Sequence, residues 1–270
     1  YPTVKDFERE FPSLCFALAT GVGKTRLMGA FISYLYLTRR SRHFFVLAPN
    51  LTIYNKLIAD FTPGNPKYVF QGISEFVTAP PVIITGDNYV SGIGVRDEVR
   101  KGQMDIERVG SDAPHINIFN ISKFNKEASG QNKSVPRMRR LAEYIGQSYF
   151  DYLAGLPDLV VLMDEAHRYR ADAGLKAINE LKPILGLELT ATPFTESAKG
   201  PVPFGNAIYS YSLAEAIAEG FVKEPAVATR HNFDTSKLDL EHLERIKLED
   251  GVRLHEQVKT DLQVFASESG

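Results

Sequence analysis

The chain has one cysteine, Cys15, in 270 residues, and that scarcity removes several chemistries at once. An intrachain disulfide is impossible and a cysteine-rich zinc site is excluded, which fits a reducing, cytoplasmic setting. Long apolar runs are missing too: the densest, Leu27 to Leu37, is about half a bilayer span and follows a helical period. Neither a transmembrane nor a signal segment is visible, so no membrane partner is expected. Charge of one sign is not in excess, since 31 basic and 33 acidic side chains leave a net charge of -2. No global positive field announces a nucleic acid, and any such partner must be held by local patches. A G-x-S-x-G serine elbow is absent, His255-Glu256 lacks the second histidine of a zinc-protease helix, and no internal repeat or low-complexity tract stands out.

What remains is a hydrophobic content of 44%, enough for one large core or two small ones. Short runs rich in Val, Ile and Phe predict strands at Leu14 to Ala19, Phe44 to Ala48, Val82 to Thr85, Ile116 to Ile121, Leu159 to Met163 and Leu185 to Thr190. Between them a helical period predicts helices at Lys24 to Leu37, Thr52 to Asp60, Pro136 to Leu153 and Ala173 to Leu181. Alternation of this kind is the signature of an α/β fold, a mostly parallel sheet sandwiched by helices. After Asn206 the character changes. Ser212 to Gly220 reads as a helix with a serine N-cap and a closing glycine, and Leu238 to Phe265 as a charged helical tail.

The stretch ATGVGKT, Ala19 to Thr25, follows a predicted strand and opens a predicted helix. Gly21 and Gly23 permit the backbone turns that aim N-H groups inward, Lys24 brings a charge for outer phosphates and Thr25 a hydroxyl for magnesium. The helix start adds roughly half a positive charge. Against the pattern GxxxxGK[ST], Leu18 holds the place of the first glycine, and a plain strand-to-helix turn is the alternative. LVVLMDEAHRYR, Leu159 to Arg170, then sets Asp164 and Glu165 at the carboxyl end of a strand, where open α/β sheets bind ligands. One carboxylate near magnesium and a second group to orient water are what phosphoryl transfer to water requires. LTATP, Leu189 to Pro193, presents the hydroxyls of Thr190 and Thr192 at the end of another strand.

In this order ATGVGKT, DEAH and LTATP resemble motifs I, II and III of superfamily 2 helicases and translocases. More narrowly, the chain resembles the first RecA-like lobe of the restriction subunit of type III restriction enzymes. VLAPNLTIYNKL, FNISKFNKE and YSLAEAIAEGFVKEP also look like that family, and the resemblance covers roughly Phe11 to Val227. It implies a P-loop NTPase that uses ATP and Mg2+. Thr20, Gly21, Val22, Gly23, Lys24, Thr25 and Arg26 would line the nucleotide, with Lys24 on the β and γ phosphates and Thr25 joining Asp164 on the metal. Glu165 would position the water, and His167, with Thr190 and Thr192 as relays, would couple ATP to nucleic acid. A merely packed or solvated helix-start histidine stands as the alternative for His167.

The resemblance further implies that Pro49, Asn50, Ser122 and Lys123 touch a sugar-phosphate backbone. The stretch Lys123 to Arg140 holds Lys123, Lys126, Lys133, Arg137, Arg139 and Arg140 against Glu127. Six phosphate contacts would give a log-log salt slope of about -5, although a solvated basic face accounts for at least half of these residues. The cluster Arg39, Arg40 and Arg42 ends a helix, where cations suit the dipole.

Departures from the family pattern carry expectations of their own. The first glutamine is Gln71, so no adenine-reading glutamine precedes the phosphate loop. The expected division is a RecA-like domain at 1–230 and a helical linker at 231–270 leading to a second lobe that is absent. Without that lobe's arginine finger, worth about 10³ to 10⁵ in rate, the chain alone should bind ATP and hydrolyse it poorly. Pro157-Asp158 with Glu180-Leu181-Lys182 imitates a nuclease signature, yet Asp158 begins the strand it would have to end. The expected partner is DNA, duplex above all, with a methyltransferase subunit as companion. An RNA helicase lobe and a nucleotide-gated binding module without turnover are the other readings.

Overall fold

The computed structural model describes residues 4, 6–93, 95, 113–121, 137–142, 146–170, 172–197, 200–224, 229–230, 233 and 239–268. Two compact units are present, Tyr1–Lys223 and Glu224–Gly270.

The first unit is built on a seven-stranded sheet. Its strands are β1 (Ser13–Leu18), β2 (His43–Ala48), β3 (Val82–Thr85), β4 (His115–Asn120), β7 (Leu159–Asp164), β8 (Leu185–Thr190) and β11 (Ala207–Tyr211), in the order β11-β1-β8-β7-β2-β4-β3. Every pairing is parallel. Two small antiparallel pairs stand apart from it, β5 (Leu141–Ala142) with β6 (Gln147–Ser148) and β9 (Phe194–Ser197) with β10 (Gly200–Pro203). Helices α1 (Lys24–Leu37), α2 (Leu51–Phe61), α3 (Glu75–Thr78), α4 (Tyr149–Ala154), α5 (Asp172–Glu180) and α6 (Leu213–Ala218) complete this unit, and α7 (Leu240–Glu268) belongs to the second.

Each residue of β2, β4 and β7 is buried because helices cover both faces; β2 and β7 read as nearly unbroken apolar runs, whereas β4 also buries His115, Asn117 and Asn120. Pleating sorts the side chains. Phe44, Val46, Val160 and Leu162 face Met28 and Ile32 of α1 and Tyr54, Leu57 and Phe61 of α2. Phe45, Leu47, Val161 and Met163 face Phe150 and Leu153 of α4 and Ile178 of α5. The result is a three-layered α/β RecA-like fold. Among the described residues no helix is long and apolar enough to cross a membrane.

The helix expected over Pro136 to Leu153 is not formed. Arg137–Arg139 make a 3-10 turn, β5 and β6 form a hairpin, and only Tyr149–Ala154 are α-helical. Gly146 at φ 74° and the Ser148 hydroxyl, which accepts from the Asp151 amide, start a fresh helix where a continuous one would have to pass. Strand β11 escaped the pattern because an edge strand is only half-covered. By contrast Ser212 caps α6 as anticipated, with Glu215 completing a capping box. In the second unit, Leu248, Val252, Leu254, Val258, Leu262 and Phe265 of α7 are exposed.

Glu188 on β8 is a fully buried carboxylate. Arg9 Nε lies 2.9 Å and the Ser13 hydroxyl 2.7 Å from its Oε1, and Arg170 holds Oε2 while also pairing with Glu8. Burial alone would raise the carboxyl's pKa, but Arg9 and Arg170 outweigh it and keep Glu188 below the usual range. A pKa depressed in the folded state gives stability that is present above the unfolded glutamate value and lost as pH falls through the folded value. Glu188→Gln, which leaves the buried Arg9 guanidinium without its counter-charge and Arg170 with Glu8 alone, is therefore expected to cost about 3–5 kcal/mol at neutral pH. The deficit should shrink in acid, where wild-type Glu188 protonates. Urea unfolding at neutral and acid pH reads both, and a variant as stable as wild type at neutral pH contradicts the assignment.

Candidate functional site

The carboxyl ends of β1, β8 and β7 lie side by side, and each delivers one of the sequence motifs to that edge. Leu18 closes β1, and the turn Ala19 to Gly23 leads into α1. Gly21 at φ 90° and Gly23 at φ 99° adopt left-handed backbone that other residues resist, and no side chain caps the first turn of α1. The first amides of that helix thus point toward whatever anion lies over the turn.

Strand β7 ends in Asp164, and Glu165 follows at φ 53°, a left-handed conformation in a residue that has a Cβ. The strain is held by what comes next. Ala166–Tyr169 form a 3-10 turn in which Ala166 and Tyr169 are fully buried, and the Tyr169 hydroxyl donates to the Leu47 carbonyl at 3.2 Å. The reversal brings the Glu165 carboxylate 2.6 Å from Lys24 Nζ. Asp164 is buried, and burial is the main reason its pKa stands above the usual carboxylate range; Lys24 opposes the shift and Glu165 adds to it. A divalent cation beside Asp164 would remove that penalty.

Lys24, Thr25, Asp164 and Glu165 line one cavity of about 500 Å3 together with Thr20, Gly21, Gly23 and Arg26. An ammonium, open helix amides, a hydroxyl and two carboxylates are the donor set a metal-bound triphosphate requires, so ATP and Mg2+ fit these residues. Val22 packs against the core at the far side of the turn, and Arg26 Nη1 donates to the Tyr68 carbonyl at 3.2 Å. The cavity also includes residues that sequence reasoning missed: Ile53, Lys56 and Asp60 on α2, then Lys67 and Val69. Their spacing at i, i+3 and i+7 marks one helical face, the only signal available for the first three.

Just outside the cavity, His167 Nδ1 lies 2.9 Å from the Thr190 hydroxyl, 3.0 Å from that of Thr192 and 3.6 Å from Glu165. Burial lowers the His167 pKa, with Glu165 opposing, and the two threonine hydroxyls share the one ring nitrogen. The remaining residues are more scattered. Asn50 caps α2, its side-chain oxygen accepting from the Ile53 amide at 2.9 Å, with half-buried Pro49 before it. Ser122 and Lys123 lie outside the described residues, as do Lys126 and Lys133. Arg139 of the basic stretch pairs with Glu180 and covers the Phe150 ring. The nuclease-like residues divide accordingly. Glu180 holds Arg139, while Asp158 sits at the amino end of β7, 2.6 Å from His43 Nδ1.

Fold and site together define a RecA-like, phosphate-loop protein. Residues 2–195 match the family described as type III restriction enzyme, res subunit, and the chain belongs to that family. No curated protein matches it. Among solved structures, a Sulfolobus solfataricus SWI2/SNF2 ATPase core in complex with dsDNA is similar at 16% identity and a TM-score of 0.37, over 68% of this chain and 28% of that one. A nuclease-deletion mutant of the Type ISP restriction-modification enzyme LlaGI, in complex with a DNA substrate mimic, is similar at 12% identity and a TM-score of 0.46. There the match covers 78% of this chain and 19% of the other, so the chain spans less than a third of either structure.

The glycine turn supplies a direct test. A Cβ on Gly23 would meet nothing nearer than Arg26 Cβ at 3.9 Å, so Gly23→Ala carries backbone strain alone. It is expected to lose about 1–2 kcal/mol of stability, read by urea unfolding. An unchanged midpoint contradicts the left-handed conformation.

Proposed function

We propose that this chain is the ATP-binding lobe of a DNA-dependent ATPase of superfamily 2, serving as part of the restriction subunit of a type III-like system. The observation that carries this reading is the convergence of Lys24, Thr25, Asp164 and Glu165 on one cavity at the carboxyl edge of the sheet. Membership in a restriction-enzyme family points to DNA as the polymer acted on, and the segment Tyr1 to about 230 serves as the nucleotide domain with 231–270 as its helical linker.

Within that reading the ion pair between Lys24 and Glu165 keeps two functional groups in reserve. Lys24 would turn to the outer phosphates of a bound triphosphate, and the Glu165 carboxylate so released would orient the attacking water. Asp164 and the Thr25 hydroxyl would be the oxygen donors for magnesium, which when bound would supply positive charge against the phosphate oxygens. His167 touches both Thr190 and Thr192, a contact through which a change near Glu165 would reach the loop after β8. In the whole protein this path would link the phosphate state to the grip on DNA. A methyltransferase subunit would supply sequence recognition.

Glu165→Gln in the full-length protein is expected to lower ATP turnover by about 10² or more while ATP still binds. Unaltered turnover removes Glu165 from its role. His167→Ala is expected to keep basal turnover and lose most of the stimulation by duplex DNA. Stimulation by RNA in place of duplex DNA would redirect the whole reading to an RNA helicase.

A further inference from the structure

The motifs account for Lys24 but not for a second lysine in the same cavity. Lys56 is on α2, 32 positions beyond Lys24 (56 − 24 = 32), and no phosphate-loop pattern includes it. Its ammonium donates to the Thr25 hydroxyl at 3.1 Å and lies 3.5 Å from Asp60 Oδ2, one turn further along the helix. Asp60 is nearly buried, whereas the Lys56 side chain is 57% exposed. The carboxylate is therefore a fixed pivot, and the lysine above it is free to swing at little cost in packing. Lys56 is also close enough for its charge to lower the pKa of Asp164, as Lys24 does from the other side.

The Thr25 hydroxyl takes one of the three ammonium protons, and Asp60 adds an ion pair at 3.5 Å. The other cations differ. Lys24 is engaged by Glu165, and Arg26 is tied to the Tyr68 carbonyl. Lys67 lines the cavity as well, and of these four cations Lys56 is the one whose side chain bonds to the hydroxyl assigned to magnesium. An ammonium and a divalent cation repel each other and compete for that oxygen, so a metal on Thr25 displaces Lys56 by a short swing about Asp60. The displaced ammonium remains in the cavity, where the outer phosphate oxygens are the strongest acceptors within reach.

We propose that Lys56 is a second phosphate-binding lysine of this site, passed from the Thr25 hydroxyl to an outer phosphate oxygen of a bound nucleoside triphosphate. The proposal rests on the ATP-binding reading above. It adds a contact from α2, so that the triphosphate is held between two helices of the same lobe rather than by the phosphate loop alone.

The competing role is a structural clamp in which Lys56 merely joins α2 to α1 through Thr25. Charge separates the two. Lys56→Gln can still donate to the Thr25 hydroxyl but cannot neutralise phosphate, whereas Lys56→Arg keeps the charge. Calorimetric titration of the 270-residue chain with ATP, in Mg2+ and again in EDTA, compares wild type with both variants, and thermal melts check that all three fold. The expected result is a loss of ATP affinity of about tenfold in Lys56→Gln in Mg2+ and a smaller loss in EDTA, where no metal displaces Lys56 from Thr25, with Lys56→Arg within about threefold of wild type in both. Wild-type binding with undiminished affinity in Lys56→Gln overturns this proposal and leaves the ATP reading standing. Failure of wild type to bind ATP at all overturns both.

Discussion

A lysine and a glutamate 141 positions apart meet at 2.6 Å, and most of the site's organisation follows from how that contact is produced. Neither side chain is near the other in sequence, and neither is placed by a loop free to choose its course. Lys24 begins a helix that β1 feeds, and Glu165 begins the turn that β7 feeds, with β8 alone between the two strands. Because all these strands run in one direction, their carboxyl ends share one edge of the sheet. The local cost is paid in backbone conformation, at Gly21 and Gly23 where it is small and at Glu165 where it is not. Burial of Ala166 and Tyr169 immediately after Glu165 keeps that strained residue from relaxing.

The two edges of the sheet have opposite characters. At the amino edge Asp158 receives the Arg42 amide at 2.7 Å and the His43 ring, and its backbone carbonyl receives the Ser41 hydroxyl. Burial alone would raise the Asp158 pKa, and the bonds from His43 and Arg42 reverse the shift, so this carboxylate is consumed by structure. At the carboxyl edge Asp164 is left with its pKa raised, a carboxylate with a charge not yet fully compensated. Between the edges, Arg170 ties the segment after the DEAH turn to Glu188 of β8, two residues before Thr190. The same pair of elements is joined again by His167 and Thr190, so the turn and the strand are fastened at two successive levels.

Much of this was legible beforehand, for reasons that can be named. A central strand covered on both faces is mostly apolar, so β2 and β7 announced themselves, and β4 and β8 did so through Ile116, Ile118 and Phe119 and through Leu185, Leu187 and Leu189 despite the buried Asn117 and Glu188. Lys24 to Leu37 was legible as a helix with both ends, because a glycine pair and a threonine bound it. The group Lys24, Thr25, Asp164 and Glu165 could be assembled on paper since short motifs at strand ends survive without knowledge of the packing. Residues between Pro136 and Leu153 misled because amphipathic period cannot reveal that Gly146 and Ser148 interrupt it. Lys56 and Asp60 were invisible for a different reason: their importance depends on how α2 lies beside α1, and that placement is a property of the core formed by Met28, Tyr54 and Leu57. Hairpin β9–β10 and strand β11 have little burial to imprint a pattern.

The central claim is that a metal-bound triphosphate lies over the turn Gly21 to Gly23 with Asp164 and Glu165 across from it. Diffraction from crystals of this chain grown with Mg2+ and a non-hydrolysable ATP analogue measures that directly. The account predicts phosphate density within hydrogen-bond distance of the Lys24 ammonium and the first amides of α1, with the metal shared by Thr25 and Asp164. Nucleotide density elsewhere on the molecule, with Lys24 still bonded to Glu165, would contradict it.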